Sequence, residues 1–140
     1  MNGFLLDTNV PSELTRPNPE TPVRRWLEAA NDDELYFSVI SLGEILKGIT
    51  VLPSSKKRTG LDVWLNETLR TWFAGRILPV TEPVAERWGR LAAIRQLKGG
   101  PLKVADGLIA ATALEHDLTL VTRNERDFEG LGLELFNPWN

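Results

Sequence analysis

Short apolar runs that end at polar residues alternate along this chain with longer stretches in which apolar residues recur every three or four positions. The short runs are typical of strands buried in a parallel sheet, and the longer stretches are typical of amphipathic helices. The predicted strands span residues 4–6, 34–38, 76–80, 118–122 and 133–136. The predicted helices span residues 20–30, 41–52, 56–74, 83–97 and 104–116. This alternation predicts one α/β domain, residues 1–140, with a largely parallel central sheet.

Two of the predicted helices have unusually apolar surfaces. Residues 56–74 carry a wide apolar band, with Gly60 as an alternative starting point of the helix. We interpret the band as core, although it is also broad enough to cover a partner or a second copy of the chain. Residues 104–116 are apolar nearly all round, so this helix is predicted to be buried, with Asp106 as its polar exception.

The composition is that of an ordinary globular domain, and it narrows the chemistry. Of 140 residues, 42% are hydrophobic and 25% are charged, and the chain contains no cysteine. Disulfides, thiolate zinc sites and cysteine nucleophiles are therefore excluded, and any metal site must be rich in oxygen ligands. The net charge of -3 excludes a global basic field, so contact with nucleic acid must be local. With no membrane-length apolar run and no leader peptide, we expect a cytoplasmic protein without membrane contact.

Four acidic residues occupy similar places in the predicted fold. One follows the first strand, one lies in the first turn after the second strand, one opens the buried helix and one follows a late strand. In that order they are Asp7, Glu44, Asp106 and Asp127. The carboxyl ends of parallel strands share one edge of a sheet, so the four can converge there. Two carboxylates about 5 Å apart repel by roughly 3 kcal/mol at an effective dielectric constant of about 20, so such a cluster needs a cation, with Mg²⁺ or Mn²⁺ preferred.

Asp7 and Glu44 also have simpler structural interpretations. Asp7 or Asn9 could begin the next segment as a helix cap, with Pro11 at the first helical position. Ser41 and Glu44 match the S-x-x-E capping box, in which the glutamate only bonds the start of its own helix. On the residues alone, both interpretations stay open.

The remaining acids have alternatives of the same kind. Asp106 would complement the positive end of its helix dipole without any ligand. Asp127 lies in a charge-rich loop, where Asn124 offers a neutral oxygen ligand in its place. The single histidine, His116, lies at a predicted helix end, where a solvated or capping role is expected, so it is not a catalytic candidate.

Several motifs together resemble one protein family. In chain order they are LLDTNV, SLGEILKG, KVADGLIAATALEH, LTLVTRNERDF and NPWN. Their order, spacing and apolar context are similar to those of the PIN-domain family, in particular the VapC-type toxins of bacterial toxin–antitoxin pairs and their FitB-like branch. The resemblance covers the whole chain and implies a PIN-like α/β/α sandwich.

The resemblance also implies a function, that of a Mg²⁺-dependent endoribonuclease held inactive by a partner antitoxin. Asp7, Glu44 and Asp106 would bind the metal, and the fourth site residue would be Asn124 or Asp127. The metal would activate water for in-line cleavage of an RNA phosphodiester, leaving 5′-phosphate and 3′-hydroxyl ends. A homodimer is expected, in a larger assembly whose antitoxin binds operator DNA.

Other residues near the predicted site are candidates for supporting roles. Asn9, Thr122 and Asn124 are polar residues that accompany the acids. The candidates for contact with the RNA backbone are Lys47, Lys103, Arg123 and Arg126. Isolated basic residues are usually only solvated, so this assignment is the weaker one. Single-stranded or loop RNA is the expected substrate because its backbone can enter a crevice.

Two other functions compete with this hypothesis. A phosphatase of the haloacid dehalogenase type also uses an acid after the first strand, but its pattern needs a second aspartate where Asn9 stands. A binding module could keep the acids and the fold without catalysis. The three intact ligand positions favour the enzyme over the binding module.

Overall fold

A five-stranded sheet, parallel at every strand pair, organises the molecule. The computed structural model describes residues 3–18 and 21–140. The strands are β1 (Phe4–Leu6), β2 (Leu35–Ser38), β3 (Ile77–Leu78), β4 (Thr119–Val121) and β5 (Leu135–Phe136), in the order β3-β2-β1-β4-β5. The predicted parallel sheet is confirmed. Because β1 is central and β2 and β4 flank it, the segments that follow these three strands leave the sheet side by side.

Helices connect the strands and cover both faces of the sheet. They are α1 (Asn9–Glu13), α2 (Thr21–Ala29), α3 (Val39–Thr50), α4 (Lys56–Val63), α5 (Arg70–Trp72), α6 (Glu82–Leu97) and α7 (Val104–Glu115). A π-helical turn, Trp64–Leu69, joins α4 to α5, and 3-10 turns span Asp32–Glu34 and Glu125–Phe128. Every predicted element is present with ends displaced by at most two residues, apart from the predicted helix start at residue 20, which lies outside the described residues. No helix of the described part has the length and apolar character needed to span a membrane.

The start of α3 differs from the prediction in a way that matters for the site. The helix begins at Val39, and its cap is Ser38, whose hydroxyl accepts a hydrogen bond from the backbone N–H of Ile40 at 3.0 Å. The predicted capping box of Ser41 with Glu44 is therefore wrong, because both residues lie inside the helix. Glu44 is in the second helical turn, which leaves its carboxylate available for another role.

The segment formed by α4, the π-helical turn and α5 begins at Lys56, as predicted, and not at Gly60. Its cap is Ser55, whose hydroxyl accepts a hydrogen bond from the backbone N–H of Arg58 at 3.2 Å. Gly60 lies inside the helix and does not mark its start. Along this segment Leu65, Leu69 and Phe73 are at most 1% exposed, so the apolar band is core.

Two apolar clusters lie on opposite faces of the sheet. Successive strand residues point to opposite faces, so Leu6 joins the cluster that contains Phe37 and Phe73, whereas Leu5 joins the cluster that contains Ile109. The first cluster takes side chains from α2, α3 and the π-helical turn, and the second takes them from α7. The result is an α/β/α sandwich.

The helix α7 is buried over most of its length but not over all of it. Its residues from Ile109 to Ala113 are buried, as predicted, and they pack under the sheet. Val104 at its first position is 59% exposed, so the prediction of a helix buried nearly all round is wrong at its amino end. That exposed first turn carries Asp106.

Candidate active site

The four predicted acids lie at one edge of the sheet. Asp7 directly follows β1, and its backbone N–H donates to Val121 O of β4 at 2.9 Å, so its position is set by the sheet itself. Glu44 comes from α3, which follows β2 without a break. Asp106 lies in the first turn of α7, and Asp127 lies in the 3-10 turn after β4.

The electrostatics of the two more buried acids show that all four interact. Burial raises the pKa of the Asp7 carboxyl, and the charges of Glu44 and Asp127 raise it further. Burial also raises the pKa of Asp106, to about 6, and the charges of Asp7, Asp127 and Glu44 add to that effect. Lys103 lowers the pKa of Asp106, so this lysine lies close enough to act on the cluster.

Three hydrogen-bond donors hold the Asp7 carboxylate, which is 6% exposed. Its Oδ1 accepts from the backbone N–H of Thr8 at 2.8 Å. Its Oδ2 accepts from the Thr122 hydroxyl at 2.7 Å and from the Asn9 side-chain amide at 3.3 Å. The bonds from Thr122 and from the Thr8 backbone favour the charged form and oppose the effect of burial on the pKa.

The alternative in which Asp7 or Asn9 caps α1 does not agree with this geometry. The cap position is Thr8, which makes no side-chain cap hydrogen bond, and Asn9 is the first helical residue. Pro11 is accordingly at the third helical position, not the first. Asp7 therefore faces the acid cluster with its side-chain oxygens held by Thr8, Asn9 and Thr122.

Thr8 is a site residue that the sequence analysis did not single out. Its hydroxyl donates to Glu44 Oε1 at 2.6 Å, while its backbone N–H donates to Asp7 Oδ1. One residue thus connects an acid at the end of β1 to an acid on α3, 36 positions further along the chain. Its place directly after Asp7 in the LLDTNV motif was the available signal, but its partner on α3 could not be read from the sequence.

A second set of hydrogen bonds ties the loop after β4 to the site. The Thr122 hydroxyl, which donates to Asp7, accepts from the backbone N–H of Asn124 at 3.0 Å. The side-chain oxygen of Asn9 accepts from the backbone N–H of Arg123 at 3.4 Å. Asn124 takes part in this network through its backbone N–H. The charge of Asp127 raises the pKa values of both Asp7 and Asp106. Asp127 therefore acts on the cluster through its charge, and Asn124 is connected to it through its backbone.

The predicted basic residues lie on different elements, and Lys103 is the one whose charge affects the pKa of a site acid. Lys103 is the cap residue of α7 and affects Asp106, and Arg123 follows Thr122 directly. Lys47 lies in the last turn of α3 and Arg126 lies in the 3-10 turn, both exposed. His116 is exposed at the carboxyl end of α7, in agreement with the solvated or capping role predicted for it.

A narrow cleft leaves the acidic edge between α1, α3 and α4. Its volume is about 220 Å³, and Thr8 and Glu44 line one part of it, with Leu61 and Trp64 further along. A wider cleft of about 700 Å³, lined by Leu14, Trp64 and Trp72 among others, includes none of the four acids. Of these two clefts in the described part of the chain, the narrow one belongs to the site.

The chemistry of the donor set fits a divalent cation. Burial, and then the repulsion between the carboxylates, raises the pKa values of Asp7 and Asp106, and a hard cation would relieve that repulsion. Within residues 3–18 and 21–140, however, no three aspartate, glutamate, histidine or cysteine side chains are placed to hold one ion together. The acids share an edge and interact through their charges, so joint coordination requires some of their side chains to rotate.

Comparison with known proteins places this fold and site in a family. The family model described as "PIN domain" matches residues 4–132. The chain belongs to the PIN-domain family, and the resemblance inferred from its motifs is confirmed. The haloacid dehalogenase alternative is not supported by this assignment.

Individual relatives match over nearly the whole chain. Toxin FitB of Neisseria gonorrhoeae is 40% identical over 137 residues, which cover 98% of this chain and 99% of that protein. VapC ribonuclease Y4jK of Sinorhizobium fredii is 36% identical and covers 97% of both chains. The solved structure of FitAB bound to an IR36 DNA fragment matches with a TM-score of 0.92 at 38% identity, over 98% of this chain and 96% of that chain.

Proposed function

We propose that this protein is a metal-dependent endoribonuclease and the toxin of a toxin–antitoxin pair. The observation that carries the proposal is the interaction of four acids, from the end of β1, from α3, from α7 and from the turn after β4, at one edge of the sheet. Relatives named as a toxin and as a VapC ribonuclease support the same class of activity. RNA is the proposed substrate, in single-stranded or loop form.

The proposed metal ligands are Asp7, Glu44 and Asp106, with Asp127 as the fourth acid. A bound Mg²⁺ or Mn²⁺ would supply an activated water nucleophile and would neutralise negative charge that develops on the phosphoryl oxygens. Thr122, Asn9 and the Thr8 backbone orient the Asp7 carboxylate through hydrogen bonds, and the bonds from Thr122 and Thr8 oppose the rise in its pKa that burial causes.

Residues around the acids would handle the substrate. Lys103 stands at the amino end of α7 beside Asp106, where its ammonium group can bind an RNA phosphate next to the cleaved bond. The Thr8 hydroxyl holds Glu44 towards Asp7, which keeps two acids together before substrate arrives. The exposed side of Glu44 faces the narrow cleft, so substrate can approach the cluster from there.

Cleavage of RNA in the presence and absence of divalent metal tests the proposal. Purified protein is expected to cleave single-stranded RNA with Mg²⁺ or Mn²⁺ and to leave 5′-phosphate ends, and excess EDTA is expected to abolish the reaction. Cleavage that continues unchanged in EDTA would show that the metal is not required. Absence of cleavage with either metal, in a folded protein free of antitoxin, would favour a PIN-like binding module.

We also propose control by a cognate antitoxin, with the antitoxin of the pair binding operator DNA. Support comes from the likeness to FitAB, whose solved structure includes a DNA fragment. The net charge of -3 supports assigning DNA binding to the antitoxin, because this chain lacks the basic field that holds proteins on duplex DNA.

A further inference from the structure

Arg123 joins the hydrogen-bond network of the acids through its backbone, and its guanidinium lies over an aromatic ring. The residue directly follows Thr122, whose hydroxyl donates to Asp7. The Arg123 Cζ lies 5.3 Å from the ring centre of Trp139, within the range of a cation–π interaction. Within the described residues, Arg123 forms no ion pair with a carboxylate.

The segment that carries Trp139 is itself fixed on the protein. The Asn137 side-chain amide donates to the backbone carbonyl of Arg123 at 3.4 Å, and its side-chain oxygen accepts from the backbone N–H of Trp139 at 2.9 Å. The indole packs against the core cluster around Phe37. Its buried Nε1 has no hydrogen-bond partner among the described residues, so ring contacts hold it in place.

The backbone of Arg123, unlike its side chain, is hydrogen-bonded to residues that hold the acids. Its N–H donates to Asn9 Oδ1, and the Asn9 amide donates to Asp7 Oδ2. The main chain of Arg123 is therefore part of the acid network while its side chain extends over the indole. An exposed arginine without such a contact would be attracted to the acids and would compete with a metal ion for them.

We propose that Trp139 is a positioning residue that holds Arg123 at the rim of the acid cluster as a binding group for an RNA phosphate. The inference rests on the proposed ribonuclease function and deepens it. A guanidinium that lies over an indole can keep N–H groups of its planar edge free, and this edge matches two oxygens of a phosphate. Arg123 would thus contribute to substrate binding and not to coordination of the metal.

Four variants test the inference with a short fluorescein-labelled single-stranded RNA as the probe. They are Arg123→Gln, Trp139→Leu, Trp139→Phe and the double variant Arg123→Gln/Trp139→Leu. Arg70→Gln is the matched control, because Arg70 is an exposed arginine on α5, which leads into the amino end of β3 and away from the acids. RNA binding is measured by anisotropy in metal-free buffer at several salt concentrations, and kcat, KM and Mn²⁺ affinity are measured separately.

Arg123→Gln is expected to weaken RNA binding and raise KM by roughly three- to tenfold and to lower the slope of log K against log salt by about 0.7, the value for one phosphate contact on a single strand. Mn²⁺ affinity and kcat should change little. Trp139→Leu should show the same loss of RNA binding and the same rise in KM. Trp139→Phe should keep most of the RNA binding. The double variant should bind RNA no more weakly than Arg123→Gln alone. Arg70→Gln should bind as the wild type does.

Three results would overturn the inference while the ribonuclease function stands. One is an active Arg123→Gln variant with unchanged KM and salt slope. Another is a Trp139→Leu variant that loses kcat or Mn²⁺ affinity at unchanged KM, which would make the contact purely structural. The third is additive loss in the double variant, which would separate the roles of the two residues. If wild-type protein neither binds nor cleaves RNA, the ribonuclease function itself fails.

Discussion

At the scale of single residues, Thr8 decides how two acids are held together. Thr8→Val keeps the shape of the side chain but removes the hydroxyl that donates to Glu44. We expect Mn²⁺ affinity and RNA cleavage to fall by about 10- to 100-fold, as is typical when a hydrogen bond behind a metal ligand is lost, with little change in thermal stability. Thr8→Ser keeps the hydroxyl and should retain most of both. Equal loss in the serine variant would assign the effect to packing, and calorimetric titration with Mn²⁺ distinguishes the two.

Glu44→Gln separates a structural role from a chemical one at the same position. Glu44 is inside α3, not at its cap, and a glutamine oxygen can still accept a hydrogen bond from the Thr8 hydroxyl. The free energy of unfolding of the variant should therefore lie within about 1 kcal/mol of the wild-type value. A neutral amide is a poor Mg²⁺ ligand, so cleavage should fall by orders of magnitude. Loss of one charge from the cluster should hold or raise the melting temperature of the metal-free protein. Full metal-dependent cleavage by Glu44→Gln would mean that Asp7, Asp106 and Asp127 bind the metal without Glu44.

The raised pKa of Asp106 predicts how the stability of the metal-free protein depends on pH. The folded protein holds the Asp106 proton up to about pH 6, whereas the ordinary value is 3.8, so the folded state binds more protons between these values. The free energy of unfolding should therefore fall as the pH rises from about 4 to about 6 and stay lower above that range. Asp106→Asn should remove part of this fall and be more stable than wild type at neutral pH, as measured by urea unfolding. Parallel pH profiles for the two proteins would contradict the assignment.

At the scale of elements, the contact between α6 and α7 depends on a glycine. A Cβ at Gly107 would lie 2.6 Å from Trp88 Cδ1 and 3.0 Å from Leu102 Cδ2, so alanine at this position requires Trp88 and Leu102 to move. We expect Gly107→Ala to destabilise the fold by about 1–3 kcal/mol and to lower activity, because Gly107 adjoins Asp106. Gly89→Ala on α6 is the control: nothing lies within 4 Å of its Cβ, so about 0.5–1 kcal/mol of added stability is expected. Urea unfolding compares the two, and a Gly107→Ala protein as stable as wild type would show that the helix pair can adjust.

At the scale of the whole molecule, several large apolar side chains remain on the surface. The most exposed are Val51 directly after α3, Val63 at the end of α4, Ile94 and Leu97 on α6, and Val104 on α7, from 49% to 88% exposed. We predict that the protein forms a homodimer and retains an antitoxin when the two are co-expressed. Light scattering should give about twice the monomer mass of 15.7 kDa for the toxin alone. A monomer at micromolar concentration that retains no partner would contradict the prediction.

The alternation of apolar runs and amphipathic stretches was sufficient to predict the strands, most of the helices and the parallel sheet, because burial on a strand or a helix leaves a periodic trace along the chain. It also indicated where Asp7 and Asp127 lie, since each follows the point where the apolar run of a strand stops, and it placed Glu44 and Asp106 in early turns of the helices α3 and α7. The apolar pattern did not fix where helices start, because Ser38 and Ser41 are both suitable cap residues. In the structure β2 ends at Ser38 and α3 begins at Val39, so Ser38 is the cap.

Only the tertiary structure decided which residues meet across long separations. The Thr8 bond to Glu44 spans 36 positions, the Thr122 bond to Asp7 spans 115, and the Trp139 ring reaches Arg123. Such contacts depend on strand order and on the rotation of each helix over the sheet. A threonine or a tryptophan in the sequence does not show whether another residue contacts its hydroxyl or its indole. The chain by itself therefore determined the elements and the acid positions, whereas packing of β1 between β2 and β4 decided which side chains hold those acids in place.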